Sequence, residues 1–294
     1  MGSLGNGRVP IQNAIVPNLI PRIEFAFQAL FRRQRLCPFC RTRNHSLVAR
    51  KYGVVRIRCC QSCCLYFTDP IYRSHVGELY EALYRAEGST TTLPNDETLD
   101  ALRAQDFRGS DKDCASQLDA LKRLTPRRAL LEIGSSWGYF LHQANAAGFA
   151  TMGVEPGRTR REFGMRKLGV AIRESVEAVG DAQFDVIYCA HTLEHFTAVS
   201  PFFSNCHRLL SDRGLLAIEV PHFDFATMGS RALSIIGAVH PLGLSPSFFQ
   251  FALPHTGFSI VGIYDDWKSV PSHPVASPRT GNLIAIAEKA PASW

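Results

Sequence analysis

Four cysteines stand in two pairs, Cys37-x-x-Cys40 and Cys60-x-x-Cys63, with 19 residues between the pairs. Thiolates at that spacing can surround one Zn²⁺ tetrahedrally. Four protein ligands close the site, so the expected metal is structural, not catalytic. Cys59 and Cys64 flank the second pair, and a Cys59/Cys64 set with a four-residue spacer is also compatible with zinc. His45 lies mid-spacer without a pairing partner in sequence. A second constellation is Glu132-Ile133-Gly134-Ser135-Ser136-Trp137-Gly138. As G-x-S-x-G it could be a hydrolase elbow with Ser136 as nucleophile. As a degenerate glycine-rich loop it could hold a nucleotide-like cofactor at a helix N-terminus.

These residues need elements to position them. From Arg128 onward the pattern alternates strand and helix. "ALLEI" reads as a strand and "YFLHQANAAG" as a helix closed by Gly148. "FATMGVEP", "VAIRES", "FDVIYCAH" and "GLLAIEV" are further strands, with "RTRREFGMRKLG" and "SPFFSNCHRLL" as helices between them. In the last helix Ser200 is expected as N-cap and Pro201 at the first helical position. "GFSIVGIYDD" and "NLIAIAEKA" close the set. Such a series predicts a doubly wound, Rossmann-like α/β sheet with ligands at the strand C-terminal ends. A hydrolase elbow needs an oxyanion loop after an earlier strand of the same sheet. Upstream of Ser136 the pattern offers only helices and the cysteine module. The cofactor reading needs an acid about 20 residues past the first glycine, and Glu155 lies 21 residues past Gly134. The cofactor reading therefore prevails. Glu132, two residues before the first glycine, is unusual for a dinucleotide loop and can meet a cationic ligand.

Between the cysteine pairs, "SLVARKYGVVRIRC" alternates as two short strands with a turn at Gly53, which predicts a small zinc ribbon. Pro21–Leu36 reads as a basic amphipathic helix with Ile23, Phe27 and Leu30 on one face, expected to pack on the rest of the protein, with a membrane-surface role as the alternative. Residues 71–128 are mostly helical in pattern. The expected organisation is a basic extension at 1–36, a ribbon at 37–70, a helical linker at 71–127 and a cofactor-binding domain at 128–294.

Residues 1–64 hold eleven Lys/Arg and one acid, a charge of 11 − 1 = +10, while the remainder carries 21 − 25 = −4. A basic head of this kind suits phosphate-bearing partners: nucleic acid, nucleotide-linked substrates or an anionic surface. Hydrophobic content of 46% and charged content of 20% are ordinary for a globular protein. No apolar run approaches the ~20 residues of a membrane span, and the N-terminus lacks a signal-peptide core. A cytoplasmic protein is expected, in which six of nine cysteines clustered between Cys37 and Cys64 favour metal over disulfides.

The run "LLEIGSSWGYFL…GVEP…FDVIYCAHTLEHF…RLLSDRGLLAIEVP" resembles the class I S-adenosylmethionine-dependent methyltransferases over about Arg128 to Ala290. Glu132 to Gly138 matches the family's E/D-x-G-x-G-x-G loop, with Ser136 in place of the middle glycine. The resemblance implies S-adenosylmethionine held by Glu132, Gly134, Ser135, Ser136, Gly138, Tyr139, Glu155, Pro156 and His191. The fused cysteine module looks like that of a subgroup containing sugar C-methyltransferases, whose histidines match at His195 and His240. The subgroup has an acid where Val239 stands here, and its large extra C-terminal domain has no counterpart. His195 and His240 are then the candidate bases, and Tyr84 is a candidate to reach the site. The implied acceptor is a small molecule or saccharide, with a zinc-headed RNA methyltransferase or a non-catalytic binding protein as alternatives.

Overall fold

The computed structural model describes Phe27, residues 30–71, 92–276 and 278, and residues 281–290. Tyr84, the helix expected over residues 77–88 and half of the expected N-terminal helix fall outside these residues, whereas the other two expected post-ribbon helices lie within them.

Seven strands form the main sheet: β4 (Ala129–Ile133), β5 (Ala150–Val154), β6 (Ile172–Arg173), β7 (Phe184–Ala190), β8 (Leu210–Pro221), β10 (Phe258–Tyr264) and β11 (Asn282–Lys289). Their order is β10-β11-β8-β7-β4-β5-β6. β4 pairs in parallel with β5 and β7, β5 with β6, and β7 with β8. β11 alone runs antiparallel to both its neighbours, β8 and β10. The strand with the glycine loop, β4, is first of this sheet in sequence, as expected, and lies inside it between β7 and β5.

Alternate side chains of each strand enter opposite cores, as the period of two requires. Leu131, Ile187, Ile218 and Ala285 join one core, and Leu130, Val186, Ala217 and Ile284 join the other. The second core is closed by α1 (Asp96–Ala104), α2 (Ala115–Leu124) and α3 (Tyr139–Ala146), through Leu99, Leu118, Leu121 and Phe140. The first is closed by α5 (Ser200–Leu209), α6 (Pro246–His255) and the cysteine module itself. α4 (Arg158–Phe163) links β5 to a wide turn ending at Gly169.

The cysteine module folds as the hairpin β1 (His45–Lys51) and β2 (Val55–Cys60), followed by β3 (Tyr66–Asp69). The turn carries left-handed backbone at Tyr52 (φ 54°) and Gly53 (φ 72°), as the Gly53 reading requires. A two-residue strand from the far half of the chain, β9 (Leu242–Gly243), completes this sheet by pairing with β3. Phe39, from the first cysteine loop, sits edge-on to Phe203, Phe248 and Phe251 at centroid distances of 5.9, 5.4 and 6.4 Å.

Two expectations are corrected. Ser200 is not the N-cap of α5; Val199 holds that place, and Ser200 is the first helical residue. Its hydroxyl donates to the Phe39 carbonyl at 2.7 Å, and the Val199 amide donates to the Pro38 carbonyl at 3.1 Å. The helix start is therefore spent on docking the ribbon. The helix expected to run to Leu36 is non-helical from Arg32 onward, and Phe27, Leu30 and Phe31 are exposed to 62, 53 and 73% rather than packed. Among the described residues no helix is long and apolar enough to cross a membrane.

Candidate cofactor and acceptor site

Cys37, Cys40, Cys60 and Cys63 bring their sulfurs within 4.8 Å of one another, with Cys37–Cys63 and Cys40–Cys60 each at 3.5 Å. A tetrahedron with Zn–S bonds of ~2.3 Å has sulfur–sulfur edges of about 3.8 Å, so the four thiols fit structural zinc. The two loops are built alike. In each, the first cysteine's carbonyl accepts from the amide four residues on, Arg41 at 3.2 Å and Cys64 at 2.9 Å. Its own amide donates to the carbonyl five residues on, Thr42 and Leu65, both at 2.9 Å. Arg41 and Cys64 both take left-handed backbone, φ 61° and 60°. Cys64 therefore occupies the position of Arg41, not that of a ligand, and Cys60/Cys63 is the equivalent pair. Cys59 faces Tyr66 and Asp224, and burial pushes its thiol up to about 11.

The glycine loop joins β4 to α3. Gly134 has φ 84°, and a Cβ there would collide with the Thr192 side chain. Gly138 has φ 78° and would press a Cβ to 2.7 Å from Val170. Ser136 adopts φ 49° between them, the left-handed region that costs an ordinary residue about 1–2 kcal/mol. Its amide donates to Glu155 Oε2 at 3.0 Å, and the Gly157 amide donates to Oε1 at 2.8 Å. Glu155 thus braces the loop from the end of β5. Burial pushes its carboxyl up, and those two amides with Arg160 and Arg161 pull against it.

Ser136 Oγ is buried with no hydrogen-bond partner among the described residues. A serine nucleophile needs a base within hydrogen-bond reach, so the hydrolase reading lacks its second component. Ser136→Gly is expected to raise the melting temperature and leave cofactor affinity intact, because glycine accepts φ 49° without strain. Thermal melts and titrations of the variant check this, and a fall in melting temperature would refute it.

Ser135 Oγ and Glu132 Oε2 are likewise buried without partners. Unsatisfied buried polar atoms are costly, and here these three, with Trp137 Nε1, surround one loop. Four carboxylates also crowd the C-terminal ends of neighbouring strands: Glu132 on β4, Glu155 after β5, Glu194 after β7 and Glu219 near the end of β8, all buried. Such an environment fits a ligand that is cationic and rich in hydroxyls, as S-adenosylmethionine is. Burial first, then the charge of Glu155, hold the Glu132 carboxyl well above the usual range. A cation beside it favours the ionised form. S-adenosylmethionine binding is therefore expected to release protons and to tighten as pH rises toward that raised pKa. Calorimetry in two buffers of different ionisation heat reads the release, which Glu132→Gln should remove. Equal heats for the wild-type protein in both buffers would contradict it.

Tyr139 opens α3, its ring 5.1 Å from that of Trp137 and 5.5 Å from the Lys112 ammonium. Pro156 is exposed. His191 follows β7 with φ 47°. It lies 3.7 Å from both Glu194 and Glu219. Burial lowers its pKa, but the two carboxylates outweigh this and lift it to about 10, so the ring is cationic at neutral pH. Glu219 in turn accepts from Trp267 Nε1 at 2.7 Å and Asn282 Nδ2 at 2.8 Å.

His195 and His240, 45 residues apart in sequence, meet with ring centroids 4.6 Å apart. Each rests a ring nitrogen on a backbone carbonyl: His195 Nδ1 on Val239 at 2.9 Å, His240 Nδ1 on Ile235 at 3.1 Å. A carbonyl can only accept, so Nδ1 carries the hydrogen in both rings and Nε2 is the basic atom. Val239 contributes its carbonyl at this contact. Glu194 completes the group, its ligand atom within 4.8 Å of those of both histidines. It is 2% exposed. Burial pushes its carboxyl up, but the three neighbouring histidines prevail and hold it below the usual range.

The segment carrying His240 is fastened to the ribbon. The Thr68 amide donates to Pro241 at 2.9 Å. Lys51 Nζ donates to the Leu233 and Ile236 carbonyls, both at 2.6 Å. Tyr66 reaches Asp224 at 3.3 Å. Glu194 and Glu219 were not singled out by sequence, although an acid within the apolar run "GLLAIEV" is a signal that could have found the second.

A mainly parallel sheet with a glycine loop after its first strand and acids at successive strand ends defines a Rossmann-like, cofactor-binding α/β protein. Residues 107–251 match the family described as Methyltransferase domain, and that match supports an S-adenosylmethionine-dependent methyltransferase. An S-adenosylmethionine-dependent methyltransferase from Clostridium acetobutylicum superposes with a TM-score of 0.51 at 10% identity, covering 67% of this chain and 100% of its own. A TehB-like SAM-dependent methyltransferase from Corynebacterium glutamicum gives 0.47 at 17% identity, covering 66% and 97%. A SAM-dependent methyltransferase from Archaeoglobus fulgidus gives 0.46 at 18%, covering 66% and 100%. No curated protein matches the sequence.

Proposed function

We propose that the enzyme transfers the methyl group to a small-molecule or sugar-type acceptor, and that His240, with His195, takes the acceptor's proton. The observation that carries this reading is the contact of the two rings against buried Glu194. When bound, S-adenosylmethionine supplies a methyl on a sulfonium, ready for in-line displacement. Glu132, Ser135, Ser136 and Glu155 would hold it, with the backbone at Gly134 and Gly138 leaving room for close approach. Zinc would be held by the four cysteines and has no part in the transfer.

The histidine group divides the work by environment. Burial first, then the neighbouring His195, lower the pKa of His240, so the ring is neutral and able to accept a proton at physiological pH. Glu194 stabilises positive charge gathered on either ring. His191, already cationic between two carboxylates, is unsuited as a base and instead neutralises Glu194 and Glu219.

A base with a lowered pKa gains activity as pH rises through that value and is flat above it. The transfer rate is expected to fall as pH drops through that lowered value, which lies below the ordinary ~6.5 of histidine, and to plateau at neutral pH. His240→Asn should cost about 10²- to 10⁴-fold in turnover, the usual range for a general base, with S-adenosylmethionine affinity unchanged. Initial rates against pH, with a parallel binding titration, test this. A variant with wild-type turnover would rule out the base.

A further inference from the structure

The ribbon carries a second concave surface, separate from the strand-end site. Arg33, Gln34, Arg35, Arg43, His45, Arg58 and Asp69 line a cleft of about 400 Å³. Four guanidinium groups therefore face a space with one carboxylate among its walls. That carboxylate is turned inward: Asp69 is 1% exposed in its side chain and accepts from Arg58 Nε at 2.7 Å, Arg56 Nε at 2.8 Å and the Gln34 amide at 2.6 Å. Its charge is consumed by Arg56 and Arg58, and it fixes Arg58 in place rather than balancing the cleft.

His45 ties the walls together. Its Nε2 meets the Arg35 carbonyl at 3.1 Å, so Nε2 carries the hydrogen and Nδ1 faces Arg58 Nη1 at 3.4 Å as an acceptor. Arg35 and Arg43 have no side-chain partner among the described residues. Unpaired arginines gathered over a concavity, beside a carboxylate already saturated, leave a local excess of positive charge. Guanidinium groups present paired donors that match phosphate oxygens.

We infer that this cleft binds a small phosphate-bearing anion. The shape favours a compact ligand over a polymer: the volume lies within the roughly 300–1,000 Å³ of small-molecule pockets, whereas a nucleic-acid surface would extend the charge along a stripe. The inference does not depend on the identity of the methyl acceptor, because the cleft lies wholly on the ribbon and its approach.

Inorganic pyrophosphate is the probe. Titrated calorimetrically into the full-length zinc-loaded protein, it should bind in the micromolar to millimolar range. Arg35→Ala and Arg43→Ala should each weaken it about tenfold or more, the range for a charge-assisted hydrogen bond. Neither side chain has a partner whose loss would unfold the ribbon, and unchanged zinc content verifies this. Absence of pyrophosphate binding at millimolar concentration, or equal binding by both variants, overturns the inference. So does tighter binding of a single-stranded RNA oligonucleotide that is lost in the same variants, which would make the cleft part of a nucleic-acid surface.

Discussion

Cys63→Ser is expected to lose its zinc and to destabilise much more than the ribbon. Apparent binding energies of structural zinc are about 10–16 kcal/mol, comparable with or above the ~5–15 kcal/mol that holds a whole domain folded. Here the metal loops are part of the main core. Cys37, Phe39, Cys60 and Cys63 share one buried cluster with Phe203, Phe248 and the inner face of the main sheet. Opening the loops withdraws Phe39 from three aromatic neighbours and removes two hydrogen bonds at the start of α5. It also frees β3, which pairs with β9 two residues beyond His240. Metal analysis should find one zinc per wild-type chain and none in any Cys63→Ser protein that stays in solution. Cys59→Ser and Cys64→Ser should retain it, since their sulfurs lie outside the cluster of four. Full zinc content in Cys63→Ser would show that another ligand set operates.

Glu155→Ala should weaken S-adenosylmethionine binding by about 1.5–3 kcal/mol, or roughly 10- to 150-fold, the range for hydrogen bonds to a charged group. Two losses combine. In the proposed binding mode the carboxylate would accept from ligand hydroxyls, and it also accepts from the amides of Ser136 and Gly157, which hold the loop. Glu155→Gln keeps the shape but turns one acceptor oxygen into a donor, opposite an amide that itself donates. It should therefore fall between wild type and Glu155→Ala. Ser136→Ala removes a hydroxyl with no partner among the described residues and should have little effect. Calorimetric titration of the three variants measures the series. Wild-type affinity in Glu155→Ala would remove this residue from the cofactor site.

Much of this architecture is legible in the sequence, for identifiable reasons. The parallel strands are short apolar runs, buried on both faces, and stand out between glycine turns. Gly134, Gly138 and Gly148 mark positive-φ positions that only glycine fills without strain. The cysteine spacing is nearly diagnostic. What could not be read depends on distant contacts. β9 has two residues and exists only because β3 lies beside it. The meeting of His195 and His240 is produced by that pairing, by Lys51 and by the Thr68 bridge, none of which leaves a periodic signal. Ser200 looks like a helix cap because serine commonly is one; its hydroxyl is claimed by a carbonyl 161 residues away in sequence. The choice between Cys60/Cys63 and Cys59/Cys64 turned on backbone conformation at residue 64, which spacing does not reveal.

The proposal that a methyl group passes to a small-molecule or sugar-type acceptor is tested most directly by following the label. The zinc-loaded protein is incubated with S-adenosylmethionine labelled in the methyl group and with a cell extract divided into small-molecule, RNA and protein fractions. The label should enter the small-molecule fraction with the wild-type enzyme, and its incorporation should collapse with His240→Asn and with Glu155→Ala. Label confined to material released by ribonuclease, or incorporation that persists undiminished in both variants, would contradict the account.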